Sequence, residues 1–562
     1  MAEEKRIGLF LCNCGGSLDA HLDLKRLKEY SQGLLQVVYV EELRTFCLPE
    51  DSQRIASIIK KENLSGVVLA GCPHRNSESI ASAIARESNL NQHLISFAPI
   101  REQCAWAYPQ RETAALKAEK MLASAVARNI LLHPLEEEEL PAEKSVLIIG
   151  GGIGGIQTAL ELSRMGFGAI ILEKKPHLGG LMKGTAAPFD SVTQPLELIS
   201  SRIETATKDP GIDILTSSEL IKLEGEPGRF QAHIKQKGKK KTITAGAIVA
   251  AAGYLVSFPK ESYGFPLSER VITQSQLSAI LADEKKTQAL LGGDKGKGKN
   301  LIFILGMGGE STPLTTAFAL KVSSLIKEKY NWNIFIIYNN IKVAGEGLEA
   351  LFRQCRSQGI ILLRYDESRP GFTVSKEKID IRLSGLLTSL EKEEEVTLPG
   401  HLMVVEERIE PEPDFENLAQ LLGINVDPQG FLQKDNPHLF PIATNKAGVF
   451  VMGSCHHPML LPFIMEEAAA TALHIAEQLS EGKIRVFKER AMVDKGKCTL
   501  CLTCIRLCPH NAIFYDRAAV ISEALCQGCG VCASECPAEA IEIRNYTTHQ
   551  LMAEIGVSRK AS

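Results

Sequence analysis

The sequence predicts an α/β protein of several domains that ends in a small α+β domain, on three observations. Short apolar runs rich in Val, Ile and Leu repeatedly alternate with stretches of helical period. Two of these runs, Ser145–Ile149 and Asn300–Leu305, lead into glycine-rich loops. The 15 cysteines crowd the two ends: five lie between Cys12 and Cys104, eight between Cys498 and Cys536, and only Cys355 and Cys455 in the long middle.

Composition bounds what can follow. At 562 residues the chain exceeds the ~250–300 at which one core stops growing, so several domains are expected. A hydrophobic fraction of 44% with 23% charged residues excludes wholesale disorder. With 63 Lys and Arg against 67 Asp and Glu, the net charge of −4 gives no electrostatic footprint for nucleic acid. No apolar run approaches the ~20 residues of a membrane span. The acidic start, running straight into a strand-like stretch, does not read as a secretory signal, so a cytoplasmic protein is expected. Cysteines there are kept reduced, which points them to metal or to packing rather than disulfides.

The N-terminal part, 1–134, reads as a Rossmann-like α/β domain. Arg6–Leu11 and Gly66–Gly71 look like buried strands, each followed by cysteine, Cys12 with Cys14 and Cys72. Cys47 precedes a helical stretch at Asp51–Glu62, and Cys104 follows a strand-like piece, Leu94–Ala98. Residues just past the strand ends of an α/β layer gather at one sheet edge. Four of the five thiols could converge there on one cluster, and spacing does not select which four. Buried free cysteines that serve only as small apolar residues are the alternative.

After an acidic linker, 135–144, the run Ser145–Ile149 feeds Gly150-x-Gly152-x-x-Gly155, with Gly154 inside the loop, and then a helical pattern. A second run, Gly168–Leu172, ends in Glu173 and Lys174. Strand, loop, helix, strand and acid in this order describe a dinucleotide site. The glycines admit pyrophosphate close to the backbone, the helix N-terminus faces its charge, and the carboxylate takes ribose hydroxyls. Gly179–Gly180, Ala247–Gly253 with Ala252 and Gly253 at its end, and Gly448–Gly453 resemble stretches of a two-dinucleotide-binding, thioredoxin-reductase-like FAD domain, a resemblance that implies FAD rather than NAD. An Asp usually follows that last glycine; Ser454 and Cys455 stand here instead. The FAD domain is expected over 145–299 and 400–482, with a second dinucleotide-domain-like module over 300–399. In that module Gly306-x-Gly308-Gly309 is followed by Ser311 in place of a third glycine. The next strand ends in Tyr338-Asn339, without the acid or Arg a nicotinamide dinucleotide needs, so a structural module is the favoured reading over NAD(P)H binding. No closely spaced cysteine pair follows Gly180, so flavin electrons have no local dithiol to leave through.

The C-terminal part, 487–545, holds Cys498-x2-Cys501-x2-Cys504-x3-Cys508-Pro509 and Cys526-x2-Cys529-x2-Cys532-x3-Cys536-Pro537, a repeat of 28 residues. This is the spacing of bacterial two-cluster ferredoxins, in which the fourth cysteine of each run serves the other cluster. One [4Fe-4S] cluster is expected on Cys498, Cys501, Cys504 and Cys536, the other on Cys526, Cys529, Cys532 and Cys508. Zinc pairs also use Cys-x2-Cys, but call for neither the third cysteine nor the Cys-Pro. Residues 546–562 read as a tail.

Cys12-Asn13-Cys14-Gly15, Cys47, Val67–Pro73, Ile100–Trp106, the Gly150 loop, Tyr263-Gly264 with Val271–Thr273, and the ferredoxin runs together resemble the heterodisulfide reductase A-subunit family over nearly the whole chain. The resemblance implies FAD as electron hub, [4Fe-4S] clusters as wires (two C-terminal and one N-terminal), and partners that are other redox subunits or ferredoxin in a hetero-oligomer around a dimeric core. In several members it also implies electron bifurcation. Larger members carry an inserted ferredoxin segment; Met182–Phe258 and Ile302–Ala319 contain no cysteine, so this is a short form. An FAD/Fe–S electron-transfer subunit is therefore expected, with no residue assigned as a proton-transfer catalyst. A self-sufficient NAD(P)H oxidoreductase and a wiring scaffold without turnover are the alternatives.

Overall fold

The computed structural model describes residues 4–183, 195–292, 298–365, 369–375, 378–384, 395–439, 441–488 and 490–560. The residues that follow Gly180 from 184 to 194 lie outside that set, as do parts of the expected 300–399 module and the last two residues of the tail. The chain divides into two compact units, Met1–Glu138 with Arg485–Ser562, and Glu139–Ile484.

In the first unit four parallel strands lie in the order Val37–Leu43, Ile7–Cys12, Gly66–Ala70, Ile95–Ala98. The two central strands are buried at every position, which is why they read as unbroken apolar runs. The expected helix at 51–62 begins at Pro49, whose ring suits the first helical turn, and runs to Lys61. Leu94 belongs to a short turn capped by the Asn91 side chain, so the fourth strand starts at Ile95.

The C-terminal residues of the same unit form two short antiparallel pairs, Ala491–Val493 with Ile541–Ile543 and Ile513–Asp516 with Ala518–Ile521. Short helices Thr503–Leu507 and Val531–Ser534 lie within the cysteine runs, and Cys504, Ile513, Ala519, Cys532, Ile541 and Ile543 pack together. The expected tail is not a loose end. Thr548–Lys560 is a helix that packs on the helix Arg111–Ile130. The Gln550 amide donates to the Leu131 carbonyl (2.8 Å), and Asn545 exchanges hydrogen bonds with the His133 backbone (2.8 and 2.9 Å). These bonds satisfy carbonyls at and beyond the end of Arg111–Ile130 that the helix itself leaves open. The Arg128 guanidinium lies 4.3 Å from the Tyr546 ring centre.

The second unit repeats one plan. A five-stranded parallel sheet takes Val449–Val451, Ala247–Ala250, Ser145–Ile149, Gly168–Leu172 and Ile212–Leu215 in that order, with an antiparallel meander, Ser218–Ala245, beside it. Another five-stranded parallel sheet runs Val271–Thr273, Leu402–Val405, Asn300–Leu305, Asn333–Tyr338, Ile361–Arg364. Its first two strands lie outside the 300–399 expected for the module. They are short (three and four residues), so no periodicity marks them. Leu255–Ser257 pairs with Arg408–Glu410 as a ribbon between the sheets. The acidic linker also contains order: Glu137–Pro141 is a strand in a two-stranded sheet with Lys483–Phe487.

Candidate functional site

The Gly150 loop closes over one cavity. Gly150 has φ +117°, and a Cβ there would stand 2.3 Å from the Ala251 carbonyl oxygen. Gly152 caps the helix Ile153–Arg164 with no side chain of its own, and a Cβ built on it meets nothing within 4 Å. The first N–H groups of that helix are thus left open to an anion. Gly155 acts differently. Its Cβ would lie 2.0 Å from the Gly150 carbonyl, so it brings helix and loop together rather than facing the cavity. Gly150, Gly152, Gly154, Glu173, Lys174, Gly179, Gly180, Ala252, Gly253, Gly453 and Ser454 all line the space.

Glu173 is buried, its two oxygens accepting from the N–H groups of Gly151 and Lys175 (both 2.7 Å). Lys174 reaches Glu412 (2.8 Å) at the same end. Gly179 N–H donates to the Gly151 carbonyl (2.8 Å), and a Cβ on Gly180 would approach Gly152 Cα to 3.2 Å, so the pair holds the chain against the loop. An open cradle at Gly152 and a carboxylate at the end of the second strand are what FAD requires, and the residues fit it.

Beside Gly453 the structure places a carboxylate that sequence motifs missed. Glu467, on the helix Leu461–Leu479, accepts from the Gly453 N–H, from Lys434 Nζ (2.7 Å) and bonds His456 Nε2 (3.0 Å). It fixes the turn that carries Ser454. Burial works to raise the Glu467 pKa, but His456 and Lys434 outweigh it and hold the carboxyl below its usual range. Burial lowers both histidines, His457 to about 4, and their rings pack with centres 4.3 Å apart. Cys455 is fully buried, its thiol directed at the carbonyls of Ala250 (3.2 Å) and Met452 (3.1 Å), and burial pushes it up to about 12. Cys355 is buried on the helix Leu348–Ser357. Both pack.

The eight C-terminal cysteines surround two further cavities. Cys498, Cys501, Cys504 and Cys536 line one; Cys526, Cys529, Cys532 and Cys508 line the other. Each therefore takes three thiols from one run and the fourth from the other. Among the described residues no three His, Cys, Asp or Glu side chains gather as a single metal ion would need.

The N-terminal cysteines lie past the ends of the parallel strands. Cys12 is buried in a cluster with Phe46 against which Cys14 and Cys72 pack, and Cys47 is exposed. Cys14 has φ +54°, and the Arg101 guanidinium donates to its Sγ (3.5 Å). Cys12 feels the charges of Cys14 and Cys72, and Cys72 those of Cys14 and Cys47. Cys104, on the π-helical turn Arg101–Ala105, lies in the other apolar cluster with Leu11 and Ala98; burial pushes its thiol up to about 11, and the charge it feels is Lys117.

Comparison with known proteins agrees with this geometry. Residues 135–293 match the pyridine nucleotide-disulphide oxidoreductase family, and 491–514 and 519–542 match the 4Fe-4S binding domain. The second iron-sulfur A subunit of the CoB–CoM heterodisulfide reductase of Methanopyrus kandleri is 27% identical over 91% of this chain and 91% of its own. The A subunit of the H(2):CoB-CoM heterodisulfide,ferredoxin reductase of Methanothermobacter thermautotrophicus is 26% identical over 98% of this chain and 97% of its own.

The chain is similar to heterodisulfide reductase A subunits over nearly its whole length. It is an oxidoreductase chain of the FAD and iron–sulfur type. The alignments to those relatives run over 606 and 644 positions, more than the 562 residues present, so they carry residues that this chain lacks. Among solved structures, T. acidophilum thioredoxin reductase matches 60% of the chain and 99% of its own at 16% identity, with a TM-score of 0.39. No described helix is long and apolar enough to cross a membrane.

Proposed function

We propose that this chain is the flavin hub of a multi-subunit redox complex, converting between two-electron and one-electron transfer for partner subunits. The observation that carries the proposal is the thiol arrangement: two cavities, each walled by four cysteines drawn three and one from the two runs, in a chain that also holds a dinucleotide cavity. Bound FAD would supply the two-electron chemistry, and each [4Fe-4S] cluster the one-electron step. The helix N-terminus at Gly152 takes the pyrophosphate, and Glu173 exchanges a backbone N–H for the ribose hydroxyls. Glu467, through Gly453, positions the turn at the far end of the cavity. Partner subunits follow from the names of the relatives, which are A subunits of heterodisulfide reductases.

A third cluster belongs to the proposal, on Cys12, Cys14, Cys47 and Cys72: Cys12, Cys14 and Cys72 pack in one cluster with Phe46, and Cys47 follows Phe46 in the chain. Arg101 beside Cys14 would stabilise the more negative, reduced state. The test is anaerobic reduction of the isolated chain with dithionite, followed by flavin absorbance and electron paramagnetic resonance. The flavin is expected to bleach together with the clusters. A flavin that stays oxidised while every cluster is reduced would overturn the hub. Cys104→Ser is expected to keep all cluster signals, and Cys72→Ser to remove one.

A further inference from the structure

The second glycine-rich loop stands where a nicotinamide dinucleotide would bind, and three features differ from the FAD loop. First, the N–H of the first glycine, which at Gly150 donates to the Leu172 carbonyl (2.9 Å), donates at Gly306 to Glu406 Oε2 (2.5 Å), and the Ser311 hydroxyl donates to the same oxygen (2.8 Å). Glu406 is only 5% exposed and enters from the end of the neighbouring strand Leu402–Val405. Second, a Cβ on Gly308 would stand 2.5 Å from Pro259 Cγ, where its counterpart Gly152 meets nothing within 4 Å. The Gly308 carbonyl is also taken by the Arg408 guanidinium (2.6 and 3.0 Å). Third, the helix after the loop starts late, at Pro313, whose nitrogen carries no hydrogen. Its N-cap Thr312 forms a reciprocal capping box with Thr315, so the Thr315 N–H is already satisfied. The helix after the first loop has no such side-chain cap.

Pyrophosphate is held by loop and helix N–H groups. Here the Gly306 and Thr315 N–H groups are consumed internally, Pro313 offers none, and a buried carboxylate stands against the loop. Other charges around the loop do not reverse this: Lys342 is paired with Glu310, and Arg408 with Glu410 (3.5 Å). Burial raises the Glu406 pKa, against the Thr315 hydroxyl, the Gly306 N–H and Ser311, which favour the anion.

We propose that Glu406 is a specificity-determining residue that acts as a built-in anion in the second loop and excludes NADH and NADPH from the module. The flavin is then served through the clusters and not by hydride from a pyridine nucleotide, a consequence that rests on the hub reading above.

The test is calorimetric titration of the anaerobic full chain with NADH, NADPH and inorganic pyrophosphate, with flavin absorbance recorded in parallel. The wild-type chain is expected to bind none of the three tighter than about 1 mM and to keep its flavin oxidised. Glu406→Ala is expected to bind pyrophosphate at least about tenfold more tightly than wild type. Micromolar binding of either nucleotide by wild type overturns the proposal. Absence of any gain in a folded Glu406→Ala chain overturns the role of Glu406. Because the calorimetric signal does not need flavin, loss of the hub reading shows separately, as a preparation without FAD.

Discussion

Gly152 and Gly155 stand three residues apart and answer differently to an added side chain. A Cβ on Gly152 points into open space that the pyrophosphate would fill, so Gly152→Val is expected to leave the melting temperature nearly unchanged while flavin content falls. Gly155→Val meets the Gly150 carbonyl at 2.0 Å and is expected to destabilise the unit by roughly 1–3 kcal/mol, seen by thermal melting of flavin-free protein. The two measurements together distinguish a ligand-facing glycine from a packing one. The histidine pair adds a pH dependence. Burial holds His456 and His457 below the ordinary value of 6.5, His457 at about 4, so the unfolded chain binds protons between those values that the folded chain refuses. Stability is therefore whole above pH 6.5 and falls as the pH drops toward 4. Substituting His457→Asn is expected to flatten that slope, measured by chemical unfolding across the range.

At the scale of elements, the C-terminal helix is expected to contribute to the stability of its unit. Ending the chain at Tyr546 removes the packing of Thr548–Lys560 on Arg111–Ile130 and leaves the Leu131 carbonyl without the Gln550 donor. A lower melting temperature is expected, and Gln550→Ala alone should cost about 1 kcal/mol. Nothing in residues 546–562 announces this role, because the partners lie more than four hundred positions away. The same reason explains what else stayed illegible. Glu467 and Glu406 act through backbone N–H groups of loops brought near by folding, and neither belongs to a short motif. Val271–Thr273 and Leu402–Val405 are too short to show a period, and only sheet pairing assigns them to the second module. By contrast the Gly150 loop and the eight C-terminal cysteines were readable, because their chemistry fixes residue type at a fixed local spacing. Each of two cavities is lined by three cysteines of one run and the fourth of the other.

For the whole molecule, one compact unit holds the dinucleotide cavity, while the other combines the N-terminal domain with the ferredoxin-like domain and its thiol-lined cavities. The chemistry then belongs to the cofactors that the chain holds. Cys536→Ser is expected to disturb the cluster of Cys498, Cys501 and Cys504 while sparing that of its own run, resolved by electron paramagnetic resonance of the reduced protein. Whether flavin and clusters share this one chain is decided by quantifying iron, acid-labile sulfide and flavin in oxygen-free protein. About twelve irons, about twelve sulfides and one FAD per chain are expected. Zinc in place of iron, or a chain that carries clusters but no flavin, would contradict it.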